Sequence, residues 1–472
     1  MDSPLDPASR PWFFCGIGGS GMLPLAQIVH GLGGTVAGSD RSRDQGRTPE
    51  KFAWLERQGI ALFAQDGSGV TSGEQIVVAS AAVEGSVPEI VKAGAVGCER
   101  MTRAELNSAL FNAAETGIAI AGTSGKSTVT AMLGWILHRA GRAPTIMNGA
   151  VMKNFATADD PFASAQVGRR EFYISEVDES DGSIALYRPS VGVLLNVSLD
   201  HKSMDELRVL FGDFLRASQR RAVNLDDPEV RALADDRGST IGFGIDAADA
   251  DLAVEHGSIE DGPGSIAATV IDRRDGSEHS LKVAMPGRHN LANALAAIAG
   301  ANSAGVAVAN AVAALGSFTG LARRFDVIGT SPSGVAVIDD FGHNPEKCAA
   351  TLRTLKQHPG RVIAFFQPHG FGPLRQMGTE LAETFARELG PDDVTLICDP
   401  LDFGGTVERD DGAERVALAI AAAGGRAEHY PTRADVADRI VALARAGDRV
   451  AVMGARDDTL TEFATGLLAR LP

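Results

Sequence analysis

The chain has 472 residues, of which 44% are hydrophobic, so it is long enough for about two to four globular domains and is not a disordered protein. Its formal net charge of −16 argues against DNA or RNA as a partner, because binding to a phosphate backbone requires clustered Lys and Arg side chains. Any bound phosphate must therefore be met locally, by backbone N–H groups and a few cations.

The sequence predicts a cytoplasmic protein. Its longest apolar segment, 293–316, is interrupted by Asn302, Ser303 and Asn310, a pattern that predicts packed helix and not a membrane span. The four cysteines are widely scattered and form no C-x-x-C pair, so they predict neither a zinc site nor a disulfide framework. We expect no membrane and no nucleic-acid partner, and either a monomer or a homodimer.

The first part of the chain predicts a strand, a glycine-rich turn, a helix and a second strand. A short apolar strand precedes GIGGSG, a helix with one apolar side follows it, and the second strand ends at Ser39 and Asp40. Gly16, Gly18 and Gly21 have the G-x-G-x-x-G spacing of a nucleotide or dinucleotide site, with an acidic residue after the next strand. The alternative is a tight glycine turn of the kind that any α/β domain can contain.

A second glycine-rich turn, GTSGKST, lies between a predicted strand and a helix predicted over 129–139. It departs from the usual phosphate loop, G-x-x-x-x-G-K-[ST], because Ile120 stands where the first glycine should be. The order of strand, loop and helix is nevertheless the context that a phosphate loop requires. Lys126 would then neutralise β- and γ-phosphate charge, and Ser127 or Thr128 would place a hydroxyl on Mg²⁺.

Two polar side chains follow the next two predicted strands. Glu176 ends the strand that enters the acidic run EVDESD, and His201 follows an apolar strand in NVSLDH. Because the carboxyl ends of parallel strands display ligand-binding groups, both side chains would lie near the Lys126 loop. The ordinary alternatives are a solvated acidic loop for Glu176 and a hydrogen-bonded histidine for His201. Further on, 239–285 changes to short alternating runs, which indicate a small β-rich section.

The last part of the chain again alternates strands and helices. GVAVIDDFGHNP and RVIAFFQPHG each predict a strand followed by a loop, and DDVTLICDP and DRVAVMGARDD predict two more buried strands. Such alternation indicates a doubly wound sheet. The sequence therefore predicts an α/β protein with three domains, over residues 1–114, 115–321 and 322–472.

Short motifs follow one another along almost the whole chain: GIGGSGM, GTSGKST, EVDESD, NVSLDH, PGRHNLANALAAIA, ARRF, DDFGHNP and FQPH. In this order they resemble the motifs of the Mur ligases, the ATP-dependent family that builds the peptide of bacterial cell-wall precursors. GTSGKST is similar to the family's shortened phosphate loop, G-T-x-G-K-[ST]-[ST], which does not use the first glycine. An NAD-dependent dehydrogenase, by contrast, explains only the first motif.

The resemblance implies a fold and a reaction. The fold is a Rossmann-like N-terminal domain for the UDP-sugar, a central P-loop ATPase domain and a Rossmann-like C-terminal domain. The cofactors are ATP and Mg²⁺, and the substrates are small molecules, UDP-N-acetylmuramate and an amino acid such as L-alanine. ATP phosphorylates the sugar carboxylate, and an amine attacks the acyl phosphate to form an amide of a peptidoglycan precursor.

The resemblance also implies roles for individual residues. Catalysis would involve Lys126, Glu176, His201 and Arg324, and Mg²⁺ would be positioned by Ser127, Glu176 and His201. The ATP site would comprise Gly122, Thr123, Ser124, Gly125, Lys126, Ser127, Thr128, His289, Asn290, Asn293, Arg324 and Asp340. The UDP-sugar site would comprise Gly16, Gly18, Gly19, Ser20, Gly21, Met22, Ser39 and Asp40. The acceptor site would comprise His343, His369 and Arg375.

Two branches of the family share these motifs, and they attach either L-alanine or a recycled tripeptide to UDP-N-acetylmuramate. TRAELNSAL and FQPH favour the alanine branch, whereas LYRPSV and DDFGHNP favour the tripeptide branch. A nucleotide-binding paralogue with weak or no catalysis is a third interpretation. Retention of the implied catalytic residues argues against it.

Two departures from the family pattern concern the substrates. Ser124 stands where both branches usually have histidine, and Gly370 and Pro373 stand where alanine ligases have arginines after FQPH. Arginine binds a carboxylate through two parallel hydrogen bonds. This chain therefore lacks the arginines that, in the family pattern, bind the carboxylate of the amino-acid acceptor. Either another cation, such as Arg375, replaces them and alanine remains the acceptor, or the pocket accepts a different amine.

Overall fold

A computed structural model describes residues 5–81, 83–199, 202–234, 238–400, 412–455 and 457–472. The chain divides into two compact units. The first comprises Met1–Asp261 and Ser265–Leu321, and the second comprises Gly262–Gly264 and Ala322–Pro472. Among the described residues, the first unit contains an N-terminal and a central sheet, and the second unit contains a C-terminal sheet.

The N-terminal sheet has five parallel strands in the order β3-β2-β1-β4-β5. The strands are β1 (Trp12–Cys15), β2 (Val36–Ser39), β3 (Ala61–Phe63), β4 (Ile76–Ala79) and β5 (Glu99–Thr102). The helices are α1 (Met22–Gly31), α2 (Arg41–Asp44), α3 (Pro49–Arg57), α4 (Pro88–Val96) and α5 (Arg103–Asn112). All residues of β1 are buried, as expected for a parallel strand that is covered on both faces. The predicted strand–turn–helix–strand start is confirmed.

The central sheet has eleven strands in the order β14-β15-β13-β12-β11-β10-β6-β9-β7-β8, with β16 paired to β15. The first strands along the chain are β6 (Thr116–Ala121), β7 (Thr145–Met147), β8 (Ala165–Gln166), β9 (Phe172–Glu176), β10 (Val191–Leu194) and β11 (Arg220–Asn224). The others are β12 (Thr240–Gly244), β13 (Leu252–Val254), β14 (Glu260–Asp261), β15 (Ile266–Asp272) and β16 (Ser277–Val283). The helices are α6 (Lys126–Arg139), α7 (Met204–Ala217), α8 (Pro228–Leu233), α9 (Arg288–Ser303) and α10 (Val308–Leu315).

Parallel pairing runs from β13 to β7, and antiparallel pairing occurs at both edges of the central sheet. In β15 buried and half-buried residues alternate, as in an antiparallel strand with one face towards solvent. The β-rich section predicted over 239–285 corresponds to β12–β16 and is confirmed.

Strand β6 lies between β9 and β10 in the middle of the central sheet. Its Ile118 and Ile120 belong to a core cluster that includes apolar residues of α6 and α9. Its Ala119 and Ala121 point to the opposite face and belong to a cluster that includes residues of α5 and α7. Because β6, β9 and β10 are parallel neighbours, their carboxyl ends meet at one edge of the sheet, as the sequence predicts for the phosphate loop and Glu176.

The C-terminal sheet has the order β17-β18-β22-β19-β20-β21, and only its edge strand β17 runs antiparallel among the described residues. The strands are β17 (Asp326–Thr330), β18 (Ala336–Asp340), β19 (Val362–Gln367), β20 (Val394–Cys398), β21 (Ala427–Tyr430) and β22 (Arg449–Gly454). The helices are α11 (Pro345–Lys356), α12 (Phe371–Glu388), α13 (Glu414–Ala422), α14 (Arg433–Leu443) and α15 (Thr459–Arg470). The predicted doubly wound sheet is therefore present.

Two predicted helices have different bounds in the structure. Helix α6 begins at Lys126 and not at residue 129, because the turn closes at Gly125 in the left-handed conformation. The apolar segment 293–316 is divided between α9 and α10, with Gly305 at a φ of 89° between them. None of the described helices has both the length and the apolar character needed to cross a bilayer.

Candidate active site

The phosphate loop after β6 contains two glycines in backbone conformations that other residues rarely adopt. Gly122 has a φ of 135° and Gly125 a φ of 89°. A Cβ atom on Gly122 would lie 3.0 Å from Leu195 Cβ, and one on Gly125 would lie 2.6 Å from Asn293 Oδ1. Both positions therefore require glycine, for conformation and for space. Ile120 is still part of β6, so the shortened loop has no need of a glycine there.

The segment that follows β10 holds this loop. Asn196 Oδ1 accepts a hydrogen bond from Ser124 N at 2.8 Å, and Asn196 Nδ2 donates to Ser124 O at 3.0 Å. Thr123 Oγ1 accepts from Ser198 N at 3.0 Å, and Thr123 N donates to Asn196 O at 3.2 Å. These contacts engage the N–H groups of Thr123 and Ser124, which leaves the start of α6 to meet a phosphate.

Lys126 is the first residue of α6, and its ammonium group lies against the loop. Its Nζ donates to Gly122 O at 2.7 Å and to Glu179 Oε2 at 2.8 Å. The two side chains are 18% and 6% exposed, so this ion pair is largely shielded from water. Glu179 therefore fixes the position of the ammonium group at the start of α6.

Ser127 and Glu176 meet at the neighbouring strand end. Ser127 Oγ donates to Glu176 Oε2 at 2.9 Å, and Gly149 N donates to Glu176 Oε1 at 2.5 Å. A Cβ atom on Gly149 would lie 2.5 Å from Glu176 Oε1, so glycine is needed to admit the carboxylate. A hydroxyl and a carboxylate are the hard oxygen ligands that Mg²⁺ prefers, and the pair fits that ion.

His201, the third predicted metal residue, lies outside the described residues. Among the residues that are described, no group of three or more His, Cys, Asp or Glu side chains is arranged to hold a metal ion. A magnesium ion at Ser127 and Glu176 would therefore complete its coordination with phosphate oxygens and water, as is usual for this ion.

The N-terminal part of α9 approaches the phosphate loop. Asn293 borders Gly125, and Asn293 Nδ2 donates to Asn290 Oδ1 at 3.3 Å. Asn290 is buried, and its Nδ2 donates to Pro286 O at 2.7 Å. This hydrogen bond ties the start of α9 to the residues that precede the helix. His289, in the first turn of α9, is exposed. The structure thus brings Asn293 to the loop, with Asn290 behind it.

In the N-terminal domain, two side chains that the sequence assigns to the ligand make hydrogen bonds within the protein. Gly18 N donates to Asp40 Oδ2 at 2.9 Å, and Ser42 N donates to Asp40 Oδ1 at 2.8 Å. Ser39 Oγ donates to Glu89 Oε1 at 2.7 Å. Both predicted residues therefore make contacts inside the protein, whereas Gly19 and Ser20, in the same turn, are exposed.

In the second unit, Asp340 holds the backbone directly after Arg324. Asp340 Oδ2 accepts from Phe325 N at 2.8 Å. Arg323 and Phe325 have φ values of 60° and 51°, in the left-handed region that costs energy for any residue except glycine. The Arg324 guanidinium carbon lies 4.6 Å from the centroid of the Phe341 ring.

The other oxygen of the Asp340 carboxylate is also engaged. Asp340 Oδ1 accepts from Gly342 N and from Thr351 Oγ1, both at 2.8 Å. Asp340 is 8% exposed and so has little contact with solvent. These contacts indicate that Asp340 positions the backbone beside Arg324. A carboxylate oxygen can accept two hydrogen bonds, so Oδ2 can accept one more in addition to that from Phe325 N.

Two of the three residues predicted for the acceptor lie together. The rings of His343 and His369 have centroids 5.2 Å apart in an edge-to-face arrangement, and His343 Nδ1 lies 2.9 Å from Phe341 O. Arg375 is exposed on α12. Gly370, which precedes that helix, has a φ of 149°.

Comparison with known proteins finds a match for each of the three parts of this architecture. Residues 13–115 match the Mur ligase family catalytic domain, 120–301 the Mur ligase middle domain and 323–456 the Mur ligase glutamate ligase domain. The UDP-N-acetylmuramate–L-alanine ligase of Pelotomaculum thermopropionicum is 33% identical over 94% of both chains. The chain belongs to the Mur ligase family.

Further relatives agree with this membership. The UDP-N-acetylmuramate–L-alanine ligase of Agrobacterium fabrum is 33% identical over 97% of this chain and 96% of its own. The solved UDP-N-acetylmuramate-alanine ligase of Thermotoga maritima has a TM-score of 0.79 at 24% identity and covers 98% of this chain and 99% of that one. A murein peptide ligase from Psychrobacter arcticus has a TM-score of 0.72 at 24% identity and covers 98% of each chain. The fold is thus the three-domain Mur ligase architecture that the sequence predicts.

The Mur ligase motifs contain residues whose importance the sequence did not reveal. Glu179 stands in EVDESD and Asn196 in NVSLDH, but neither letter indicates which backbone or side chain it contacts. Asn148 is fully buried, and its Nδ2 donates to Ser127 O at 2.9 Å from outside any of the motifs. A buried polar side chain needs a hydrogen-bond partner, and an asparagine directly after the apolar residues Ile146 and Met147 is a signal that could have found it.

The His343 ring predicts how stability responds to acid. Burial and the positive charge of Lys347 lower the pKa of His343 to about 3, well below its ordinary value of 6.5. Because the unfolded chain takes up a proton that the folded chain refuses, the free energy of unfolding should fall as the pH drops below about 6.5, by up to about 2 kcal/mol at pH 5. Denaturant titrations at pH 5 and at a pH well above 6.5 would measure this change. The loss of unfolding free energy at acid pH should be smaller in His343→Gln. An equal loss in this variant and in the wild type would contradict the lowered pKa of His343.

Proposed function

We propose that the chain is an ATP-dependent, ADP-forming ligase that joins L-alanine to the carboxylate of UDP-N-acetylmuramate, a step in the synthesis of a peptidoglycan precursor. The observation that carries the proposal is the 33% identity with an L-alanine ligase over 94% of both chains. The loop geometry supports its nucleotide part, because Lys126 and Ser127 each pair with a carboxylate at the edge of the sheet where phosphates bind.

In this proposal the phosphate loop and its neighbours bind Mg-ATP. Residues 122–128 and Asn293 hold the nucleotide, with Asn290 and His289 in the same turn of α9. Ser127, Glu176 and His201 would hold Mg²⁺, which would supply positive charge to the phosphate oxygens. The fit rests on the hydroxyl–carboxylate pair of Ser127 and Glu176.

Lys126 acts on the charge that develops as the γ-phosphoryl group passes to the sugar carboxylate, since fixed electrostatic stabilisation of this kind is usually the largest catalytic term. The alanine amine then attacks the carbonyl carbon of the acyl phosphate, a C–N bond forms, the C–O bond to phosphate breaks and phosphate leaves. Arg324 supplies a second cation for the γ-phosphate, and Asp340 positions it through the Phe325 N–H group. Asp340 also remains the candidate for a contact with the ribose.

The N-terminal glycine turn, Gly16 to Met22, binds the UDP diphosphate through backbone N–H groups. Asp40 positions this turn by accepting a hydrogen bond from Gly18 N, and the Ser39 carbonyl oxygen does so by accepting from Gly16 N and Ile17 N. We propose residues 1–114 as the sugar-nucleotide domain, 115–321 as the ATP domain and 322–472 as the C-terminal domain.

The acceptor is proposed to be L-alanine, with His343, His369 and Arg375 at its site. The relatives described above carry the alanine ligase name, which favours this acceptor over the tripeptide. A non-catalytic paralogue is disfavoured because the pairs made by Lys126 and Ser127 are in place. Arg375 is then the candidate partner of the alanine carboxylate, in place of the arginines that other alanine ligases carry after FQPH.

Phosphate release from ATP tests this proposal. UDP-N-acetylmuramate would be supplied with L-alanine, L-serine, glycine or the recycled tripeptide, and mass spectrometry would identify the product. We expect release to depend on both the sugar nucleotide and L-alanine, and Arg375→Ala to raise the KM for alanine by about tenfold, the loss of one charge-assisted hydrogen bond. Release with the tripeptide alone would assign the chain to the other branch, and no release with any acceptor would favour the paralogue.

A further inference from the structure

The first residue of α5 touches two loops of the first unit. A Cβ atom on Gly21 would lie 2.9 Å from both Cδ and Nη1 of Arg103, so the missing side chain at Gly21 is what admits the guanidinium group to the glycine turn. On its other side, Arg103 Nη2 lies 4.0 Å from Asp178 Oδ2. Asp178 precedes Glu179, the partner of Lys126. One cation therefore lies between the glycine turn and the acidic segment of the phosphate site.

Hydrogen bonds hold the start of α5, and with it the backbone of Arg103, in place. Thr102 Oγ1 accepts from Glu105 N at 3.1 Å, and Thr102 N donates to Glu105 Oε2 at 2.7 Å, which forms a capping box at the helix start. One turn further on, Asn107 joins α5 to the central sheet. It is buried and makes three side-chain hydrogen bonds, whose partners are Ser175 Oγ, Tyr187 OH and Tyr173 OH.

Arg103 keeps donors for a ligand. A separation of 4.0 Å from Asp178 is too long for a hydrogen bond, and the Arg103 side chain is 31% exposed. The other cation at the turn, Lys51, is buried and donates to Gly18 O at 3.2 Å. Arg103 is thus the more accessible of these two cations.

We infer that Arg103 binds the diphosphate of the sugar nucleotide and exchanges its loose pairing with Asp178 for that contact. The inference rests on the proposed function and adds a side chain to a site otherwise built from backbone N–H groups. A guanidinium group presents a planar fork that matches phosphate oxygens, which a point-charge ammonium cannot reproduce. The third glycine of G-x-G-x-x-G accordingly serves here to make room for a cation.

Calorimetry with UDP, UDP-N-acetylmuramate and Mg–AMP-PNP on the full chain would test the role of Arg103. Arg103→Met keeps the length of the side chain and removes its charge, and we expect it to weaken UDP and UDP-N-acetylmuramate alike by about 10- to 100-fold. Arg103→Lys should lose less, and AMP-PNP binding should be unchanged in both. Arg100→Met, an exposed arginine three positions earlier, is the matched control and should bind all three ligands as the wild type does.

A further variant should act in the opposite direction. Asp178→Asn removes the competing carboxylate and should tighten UDP binding by up to about fivefold, the range expected for an exposed ion pair. Weakening confined to UDP-N-acetylmuramate would overturn the diphosphate assignment and indicate the sugar carboxylate. Unchanged UDP binding in Arg103→Met, or equal weakening of AMP-PNP, would overturn the inference. A wild-type chain that binds neither UDP nor UDP-N-acetylmuramate would instead contradict the proposed function.

Discussion

Replacing Lys126 with alanine is expected to reduce ATP-dependent ligation by at least about 10²–10³-fold, which is the loss that follows removal of one donor from a site of developing charge. No other side chain of GTSGKST carries a positive charge, so nothing within the loop can take its place. Phosphate release with saturating Mg-ATP, UDP-N-acetylmuramate and L-alanine would measure the effect, and circular dichroism would show whether the fold is retained.

The same substitution leaves Glu179 without its partner in a nearly buried position. We expect the free energy of unfolding to fall by about 1–3 kcal/mol in Lys126→Ala, because a desolvated charged group loses its hydrogen bond. The double variant Lys126→Ala with Glu179→Gln should recover much of that stability and none of the activity. Lys92→Ala, at an exposed lysine of α4, is the matched control. Ligation near the wild-type rate in the double variant would contradict the role of Lys126.

Glu176→Gln is expected to raise the Mg²⁺ concentration needed for half-maximal activity by at least about 10- to 100-fold, the range seen when even an indirect partner of a metal is lost. The amide keeps the shape of the side chain and can still accept from Gly149 N, so the fold should survive. What it loses is the negative charge and one oxygen, the features that suit this position to a hard cation. Activity measured across a series of Mg²⁺ concentrations gives the shift directly.

Two comparisons separate this effect from a general defect. Glu115→Gln, at an exposed glutamate just before β6, should leave the Mg²⁺ dependence unchanged. Thermal unfolding of Glu176→Gln without ligands should resemble that of the wild type. If the Mg²⁺ dependence were the same in Glu176→Gln and wild type, Glu176 would serve the structure of the loop and not the metal.

The sequence predicted those elements whose signal is local. β6 and its loop could be found because a buried apolar run, two glycines and a lysine stand next to one another in the chain. The rule that parallel strands display ligand-binding groups at their carboxyl ends predicted Glu176 near the loop, whereas the order β10-β6-β9 is known only from the structure. The start of α6 was misplaced because propensity does not show that Gly125 adopts a left-handed turn directly before Lys126.

Contacts between distant segments were beyond the sequence. Asp40 has the spacing of a ribose-binding residue, yet its carboxylate accepts hydrogen bonds from Gly18 N and Ser42 N. Asp340 stands in a family motif, and the structure shows that both of its oxygens are already engaged. Nothing in the sequence distinguishes Glu179 and Asn196 from other polar residues, and only the fold places them against the phosphate loop. A single sequence states which groups are present, but the pairing of buried groups depends on the whole chain.

The three hydrogen bonds of Asn107 determine where this chain can be recombined with a homologue. Asn107 precedes residue 115, but Tyr173, Ser175 and Tyr187 all follow it, and all four are buried. A chimera joined at residue 114 would place the α5 helix of the homologue against these hydroxyl groups. Each buried hydroxyl group left without a hydrogen-bond partner would lower the free energy of unfolding by about 1–3 kcal/mol. A crossover placed before α5 takes the helix and the central domain from the same parent, and the hydrogen bonds of Asn107 are then retained. For shuffling experiments, the exchangeable module therefore ends at β5.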